Sequence, residues 1–267
     1  ISPSSISDAE RITVELIPDS PATKTMRYTV DGTSPTIDSA EYDTPLKFTK
    51  STIFRARSFG ENGRPSQVSE QEFTVDPHLI PLDPKLWVAE DHAKASPAGA
   101  WKIDAGVIEQ TSNVMTGGKQ TTENTPNVER PGSLFTLEGD QEFGDGEVIF
   151  EIRSIDNDAL GFVFGHESAD KHYLWSMSAE RPYRALALKN GDEYTVLESR
   201  REGYDVKAWH EVRLVFKESN VTCFFDGQKD FTVENIDLTG EGTIGFYSWG
   251  NSGSYFKNPR FVPDSKN

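Results

Sequence analysis

Gly146-Glu147-Val148-Ile149-Phe150-Glu151-Ile152-Arg153 is the stretch on which the fold turns. Val148, Phe150 and Ile152 alternate with Glu147, Glu151 and Arg153. That is the period of a strand that buries one face and shows the other to water. Comparable runs follow at Ala159-Leu160-Gly161-Phe162-Val163-Phe164-Gly165, Tyr173-Leu174-Trp175, Trp209-His210-Glu211-Val212-Arg213 and Gly245-Phe246-Tyr247-Ser248-Trp249. The runs are short and closed by Gly, Asn, Asp and Pro, while helical periodicity is almost absent. The fold is therefore expected to be all-β. In this half, strands are expected near 134–138, 147–153, 160–165, 172–178, 184–189, 193–199, 209–217, 221–226, 242–248 and 254–262, enough for a two-sheet jelly roll. Hairpins are expected at Lys189-Asn190-Gly191-Asp192 and Asp226-Gly227-Gln228, because Asn, Asp and Gly tolerate positive φ.

Outward from this block, the chain is too long at 267 residues for a typical single domain. Between Val75 and Trp87 lies a stretch carrying Pro77, Pro81 and Pro84, which cannot sustain ladder pairing and stiffen the backbone. The expected organisation is a first domain over 1–76, a proline-rich linker over 77–86 and a second domain over 87–267. In the first domain Arg11-Ile12-Thr13-Val14-Glu15-Leu16 alternates, Met26-Arg27-Tyr28-Thr29-Val30 follows, and Asp31-Gly32 offers a tight turn. Thr52–Phe59 and Glu72–Val75 supply a second pair of strands, as in a small sandwich.

Tyr28-Thr29-Val30-Asp31-Gly32-Thr33-Ser34-Pro35-Thr36, then Tyr42 with Thr44-Pro45-Leu46, then Ser51–Phe59, resemble the C-terminal domain of chitobiase and β-hexosaminidase over residues 8–75. The resemblance implies an immunoglobulin-like sandwich that serves secreted enzymes and surface proteins as a spacer; it does not imply the hexosaminidase reaction. Residues 130–263, through the runs quoted above together with Phe225-Asp226-Gly227 and Trp249-Gly250-Asn251, resemble the concanavalin-like lectin/laminin-G superfamily, its thrombospondin C-terminal-like type in particular. This second resemblance implies a jelly-roll sandwich that binds glycans or protein partners, often with calcium. Relatives commonly end in a Phe-Asp-Asn-type strand whose acid joins a calcium site. Here Phe256-Lys257-Asn258-Pro259 puts a lysine there, which repels a cation.

Composition narrows the function classes. A net charge of -16 opposes nucleic acid and anionic membrane, both of which need clustered cations. The acids are scattered among aromatic and β-branched residues, as on a solvated surface. No apolar run reaches the ~18 residues of a membrane span. The one cysteine, Cys223, lies in an apolar run and is read as an inert core thiol. The chain begins at Ile1 without Met, so it is expected to be a fragment whose covalently linked neighbouring domains are missing. The two resemblances imply that the larger protein is bacterial and secreted or on the cell surface.

A sugar platform needs aromatic faces beside planar hydrogen-bonding groups. Tyr173, Trp175, Arg181, Tyr183, Arg184 and Trp249 are the candidate ligand residues: Tyr173 and Trp175 share one strand face, Arg181-Pro182-Tyr183-Arg184 reads as a hairpin tip, and Trp249 stands in a Gly-rich loop. Trp209 opens a regular strand and is expected to be structural. For calcium, which takes six to eight oxygens, the candidates are Asp156, Asn157 and Asp158, with Asp140, Glu142 and Asp145 as a second source. The carboxylate spacing of concanavalin-like glycosidases is missing from Glu151-Ile152-Arg153-Ser154-Ile155-Asp156. His166 and His172 have no neighbouring nucleophile or metal-ligand motif, and Asn220-Val221-Thr222 is read as an accidental glycosylation acceptor. The expected function is a non-catalytic carbohydrate-binding module for a polysaccharide or glycan, preceded by a spacer. A structural or adhesive domain pair is the first alternative, and a cryptic polysaccharide lyase or glycoside hydrolase the second.

Overall fold

A computed structural model describes residues 7–8, 12–18, 20–92, 95–115, 132–139, 144–237 and 242–264. The protein is all-β, an immunoglobulin-like sandwich followed by a concanavalin-like jelly roll, and it divides into two compact units, Ile1–Pro81 and Leu82–Asn267. Among the described residues no helix is long and apolar enough to cross a membrane.

In the first unit β1 (Ser7–Asp8), β2 (Ile12–Val14), β3 (Thr25–Thr29), β4 (Ala40–Glu41), β5 (Leu46–Phe48), β6 (Thr52–Phe59) and β7 (Ser69–Val75) form a sheet ordered β1-β7-β6-β3-β4 and a β2-β5 pair. The alternation of Ile12 and Val14 puts both inside, against Phe54, Ala56 and Phe73. Phe48, Phe54 and Phe73 stack around one another with ring centres 5.6 to 6.2 Å apart. The Asp31-Gly32 turn does not join neighbouring strands directly, since β3 ends at Thr29 and β4 begins at Ala40. Instead the Asp31 carboxylate accepts from the Thr33 hydroxyl at 2.6 Å and its N–H at 3.0 Å, while Gly32 takes φ 78°. These bonds hold the Asp31 carboxyl below its ordinary range.

The second unit opens with a 3-10 turn, Pro84–Leu86, capped by the Asp83 side chain. Its strands are β8 (Trp87–Asp91), β9 (Trp101–Asp104), β10 (Val107–Gln110), β11 (Ser133–Leu137), β12 (Gly146–Ser154), β13 (Ala159–Ser168), β14 (Lys171–Ser178), β15 (Tyr183–Asn190), β16 (Glu193–Arg200), β17 (His210–Lys217), β18 (Asn220–Phe225), β19 (Gln228–Val233), β20 (Thr243–Trp249) and β21 (Ser254–Pro263). One sheet runs β19-β18-β17-β12-β21-β10-β9, and the other β16-β15-β14-β13-β20-β11-β8. Strands β8, β9, β10 and β19 were not among those expected. The β9–β10 pair turns on Ala105-Gly106 at φ 47° and 77°, and an alanine gives no notice of such a turn.

Between the sheets, Phe150 lies 4.9 Å from Phe162 and 5.5 Å from Phe246, and Phe246 lies 4.4 Å from Phe256. Trp87 and Trp101 stack on Phe135 from the β8 and β9 edges. Truncating any one of these buried rings would cost about 3–5 kcal/mol. Gly161 is required where β13 meets β14, because a Cβ there would come within 2.1 Å of the Trp175 carbonyl oxygen. Cys223 is fully buried, and burial pushes its thiol pKa up, which makes it inert.

Candidate functional site

Along β12, Gly146, Val148, Phe150, Ile152 and Ser154 point inward, so Glu147, Ile149, Glu151 and Arg153 form a row on the outer face of that sheet. Arg153 pairs with Tyr255 of β21, and Ile152 pairs with His210, so Trp209 falls beside Arg153 on its other side. The Arg153 guanidinium carbon stands 4.7 Å from the ring centres of both Trp209 and Tyr255. Lys257 brings its Nζ to 4.3 Å from the Trp209 ring and 3.0 Å from Glu151 Oε2. Asn258 Nδ2 donates to Glu151 Oε1 at 2.8 Å. Next to this group Arg213 covers Phe224 at 3.9 Å and reaches Glu147 at 3.3 Å. On the far side of Tyr255, Glu109 meets Lys102 at 2.9 Å. Trp209, Tyr255, Arg153 and Lys257 are half-buried, and Ile155 beside them is exposed.

Chemically, this face presents two aromatic rings with a guanidinium fixed between them and a carboxylate and amide alongside. Cation–π contacts of this kind stabilise by about 0.5–2 kcal/mol and hold the guanidinium in place before any ligand arrives. Hydroxyl-bearing ligands are recognised by such preset donors and acceptors beside apolar ring surface.

The residues singled out from the sequence do not assemble into one platform. Tyr173 and Trp175 do share a strand face, but it is the interior: Trp175 is 0% exposed, edge-on to Phe150, and Tyr173 stacks on Phe164 at 5.2 Å. Tyr183 is 2% exposed, because β15 begins at Tyr183 itself and the turn stops short of it. Its ring packs with Ala185 and Ala187. Arg184 is buried in a two-point ion pair with Asp230, over the Phe225 ring. Arg181 stays half-buried in the β14–β15 turn, and Trp249 packs at the end of β20 against the layer made by Leu134, Ala159, Val163, Leu174 and Tyr247. Trp209, expected to be structural, stands instead on the outer face.

The Asp156–Asp158 loop is knitted by its own hydrogen bonds. Asp156 Oδ2 accepts from the Ser252 N–H and hydroxyl at 3.3 and 3.1 Å, and Oδ1 from the Asn157 N–H at 2.8 Å. Tyr204 Oη donates to the Asp156 and Asp158 carbonyls at 3.1 and 3.2 Å, and the Asn157 carbonyl accepts from the Ala179 and Glu180 N–H groups. A calcium ion here would have to displace these donors. Among the described residues no group of three or more His, Cys, Asp or Glu side chains is arranged to hold a metal ion. Asp140 and Glu142 lie outside the described residues.

A second polar constellation belongs to the β13 sheet. His92, His172 and His166 form a buried row with ring centres 5.8 and 5.7 Å apart. His166 Nε2 is 3.1 Å from Glu90 Oε2, and Tyr194 Oη is 3.4 Å from His92 Nε2. His172 Nδ1 lies 3.1 Å from the Ser168 carbonyl oxygen and so carries the proton, which leaves a buried Nε2 with no hydrogen-bond partner. Burial drives the His172 pKa down to about 3 and lowers those of His92 and His166, with Glu90 opposing the shift at His166. Lys189 spans the Tyr194 ring at 4.6 Å and Asp170 at 3.4 Å.

Residues 85–262 match the family model described as the 3-keto-alpha-glucoside-1,2-lyase-like domain, and residues 14–73 match that described as Fn3 associated. No curated protein matches. Among solved structures, the carbohydrate-binding module CBM66 from Bacillus subtilis is 14% identical with a TM-score of 0.51, covering 66% of this chain and 94% of that one. The carbohydrate recognition domain of Emp47p is 14% identical with a TM-score of 0.47, over 70% and 93% of the two chains. A Bacillus licheniformis β-glucanase is 10% identical with a TM-score of 0.48, over 70% and 95%. At these identities the likeness is one of fold.

Proposed function

Through residues 85–262 the chain belongs to the 3-keto-alpha-glucoside-1,2-lyase-like domain family, and on that premise we propose that its second unit binds a glycan without cleaving it while the first spaces that module from neighbouring domains outside the cell. The observation that carries this reading is the Arg153 guanidinium held between Trp209 and Tyr255 on an outward sheet face. Aromatic rings give flat contact area for the C–H faces of a sugar, and a guanidinium that is already immobile loses little entropy on binding. The fold shared with a carbohydrate-binding module adds support. Three carboxylates of this face, Glu109, Glu147 and Glu151, each stand within 3.3 Å of a cation. Carboxylates held in this way are placed to accept from sugar hydroxyls.

The test is a glycan array followed by calorimetry on the full chain, comparing the wild type with Trp209→Ala and Tyr255→Ala. Saturable binding that either substitution weakens, with the melting temperature retained, supports the reading. Binding indifferent to both substitutions places the site elsewhere, and an array with no binder sinks the proposal. A second reading, cleavage of a 3-keto-glucoside, is favoured by the family's description and by the His166–Glu90 pair, an imidazole and a carboxylate in reach of one another. Product released from 3-keto-α-glucosides and lost in His166→Asn would establish that reading over the first.

A further inference from the structure

Three cations on the outer face of the β12 sheet are matched to carboxylates, whereas Arg260, opposite Ile149, and Lys229, opposite Phe224, have no ion-pair partner among the described residues. Lys257 lies 3.0 Å from Glu151, Arg213 lies 3.3 Å from Glu147, and Lys102 lies 2.9 Å from Glu109. Arg153, at the centre of the face, differs from those two in being held between aromatic rings. Among the described residues it has no carboxylate partner, and its Nε is buried without a hydrogen bond. Glu151, two residues away on the same side of β12, is already engaged by both Lys257 and Asn258. The two rings at 4.7 Å cover the guanidinium but supply no acceptor for its N–H donors.

In a chain of net charge -16, carboxylates are abundant, yet among the described residues none is supplied to this guanidinium. A fork of N–H donors in a fixed plane fits a carboxylate in two-point contact better than it fits a lone hydroxyl. Resting on the glycan-binding reading above, we propose that the sugar taken by this face carries a carboxylate, as a uronic acid does. Arg153 holds the carboxylate, the sugar ring lies against the parts of Trp209 and Tyr255 that the guanidinium leaves uncovered, and Glu151 with Asn258 is placed for its hydroxyls. Glu109, Glu147 and Glu151 do not forbid this, because each is offset by a cation. Glu211, opposite Glu151 and without an ion-pair partner among the described residues, is the one repulsion that Arg153 must outweigh.

Calorimetric titration of the full chain tests the assignment, using galacturonate, mannuronate, guluronate and hyaluronan oligosaccharides, the methyl esters of each, and neutral gluco- and galacto-oligosaccharides. The expected result is an acid that binds about tenfold more tightly than its own ester at low salt, a gap that narrows as salt rises. In Arg153→Gln the ratio of acid to ester affinity should collapse to about one, while Arg153→Lys, which keeps the charge and loses the fork, retains part of it. Melting temperatures of both variants show that the chain still folds. Acid and ester binding alike in the wild type, or a ratio that survives Arg153→Gln, overturns the inference. If neutral sugars alone bind and Trp209→Ala abolishes that, the glycan reading stands and the carboxylate assignment falls. If no sugar binds, both fall.

Discussion

Arg184 on β15 and Asp230 on β19 join the two sheets of the jelly roll by a two-point ion pair, Nε to Oδ2 at 2.6 Å and Nη2 to Oδ1 at 3.0 Å. The side chains are 5% and 2% exposed. Phe225 lies under the guanidinium, and Arg200 approaches Asp230 from β16. Buried pairs of this kind are costly to break, because the surviving charge is left without a partner in a poorly solvating site.

Asp230→Ala is therefore expected to destabilise the second unit by about 3–5 kcal/mol. Denaturant unfolding of the full chain measures this. A change within about 0.5 kcal/mol, the range of an ordinary surface substitution, would show that the pair contributes no net stability.

The histidine row predicts an acid-sensitive fold. His172, His92 and His166 have native pKa values below their ordinary 6.5, so the unfolded chain binds protons that the native chain excludes. Their contribution is whole above about pH 6.5 and is lost as pH falls from there toward their native values, for His172 toward about 3. Each titrating histidine removes up to about 1.4 kcal/mol per pH unit in that window. Melting temperatures between pH 8 and 4.5 should decline with falling pH, less steeply in His172→Gln. A flat profile, or the same slope in the variant, contradicts this account.

Asp156 is expected to act as a loop cap. Asp156→Ala removes acceptors from three donors, so the melting temperature should fall by an amount worth about 1–3 kcal/mol. The same wild-type midpoint in excess chelator and in millimolar-order calcium would agree with oxygens engaged by these donors. A midpoint raised by calcium would instead show that the ion displaces them.

The strand pattern was legible because β12 keeps one face in water: its alternation fixes both the strand and the outward row from Glu147 to Arg153. The ligand residues were misjudged where that cue disappears. Strand β14 is buried on both faces over Leu174–Ser178, so alternation shows that Tyr173 and Trp175 share a side without showing which side is core. At Arg181-Pro182-Tyr183-Arg184 the polar look of the turn hid a strand that starts at Tyr183. The Trp209–Arg153–Tyr255 group draws its members from the entry to β17, from β12 and from β21. Only the antiparallel register brings them together, and no local spacing announces it. A signal was present all the same: Arg153 continues the outward row of β12, and Tyr255 and Lys257 share one parity on β21.

The two units should also fold separately, since Pro77, Pro81 and Pro84 interrupt ladder pairing around the Pro81–Leu82 division. Fragments cut there should each unfold cooperatively. If either loses its cooperative transition, the division is not a domain boundary.

The most direct measurement sets Trp209→Ala beside Tyr183→Ala, in calorimetric titration with a sugar that the wild type binds and in thermal unfolding. Trp209 is half-buried on the outer face and Tyr183 is 2% exposed in a packed layer. The account predicts that Trp209→Ala loses about tenfold or more in affinity at a nearly unchanged melting temperature. Tyr183→Ala should lose about 3 kcal/mol or more of stability and bind normally where it is folded. The reverse pattern, with Tyr183→Ala weakening binding at full stability while Trp209→Ala binds like the wild type, would contradict the placement of the site on the outer face of the β12 sheet.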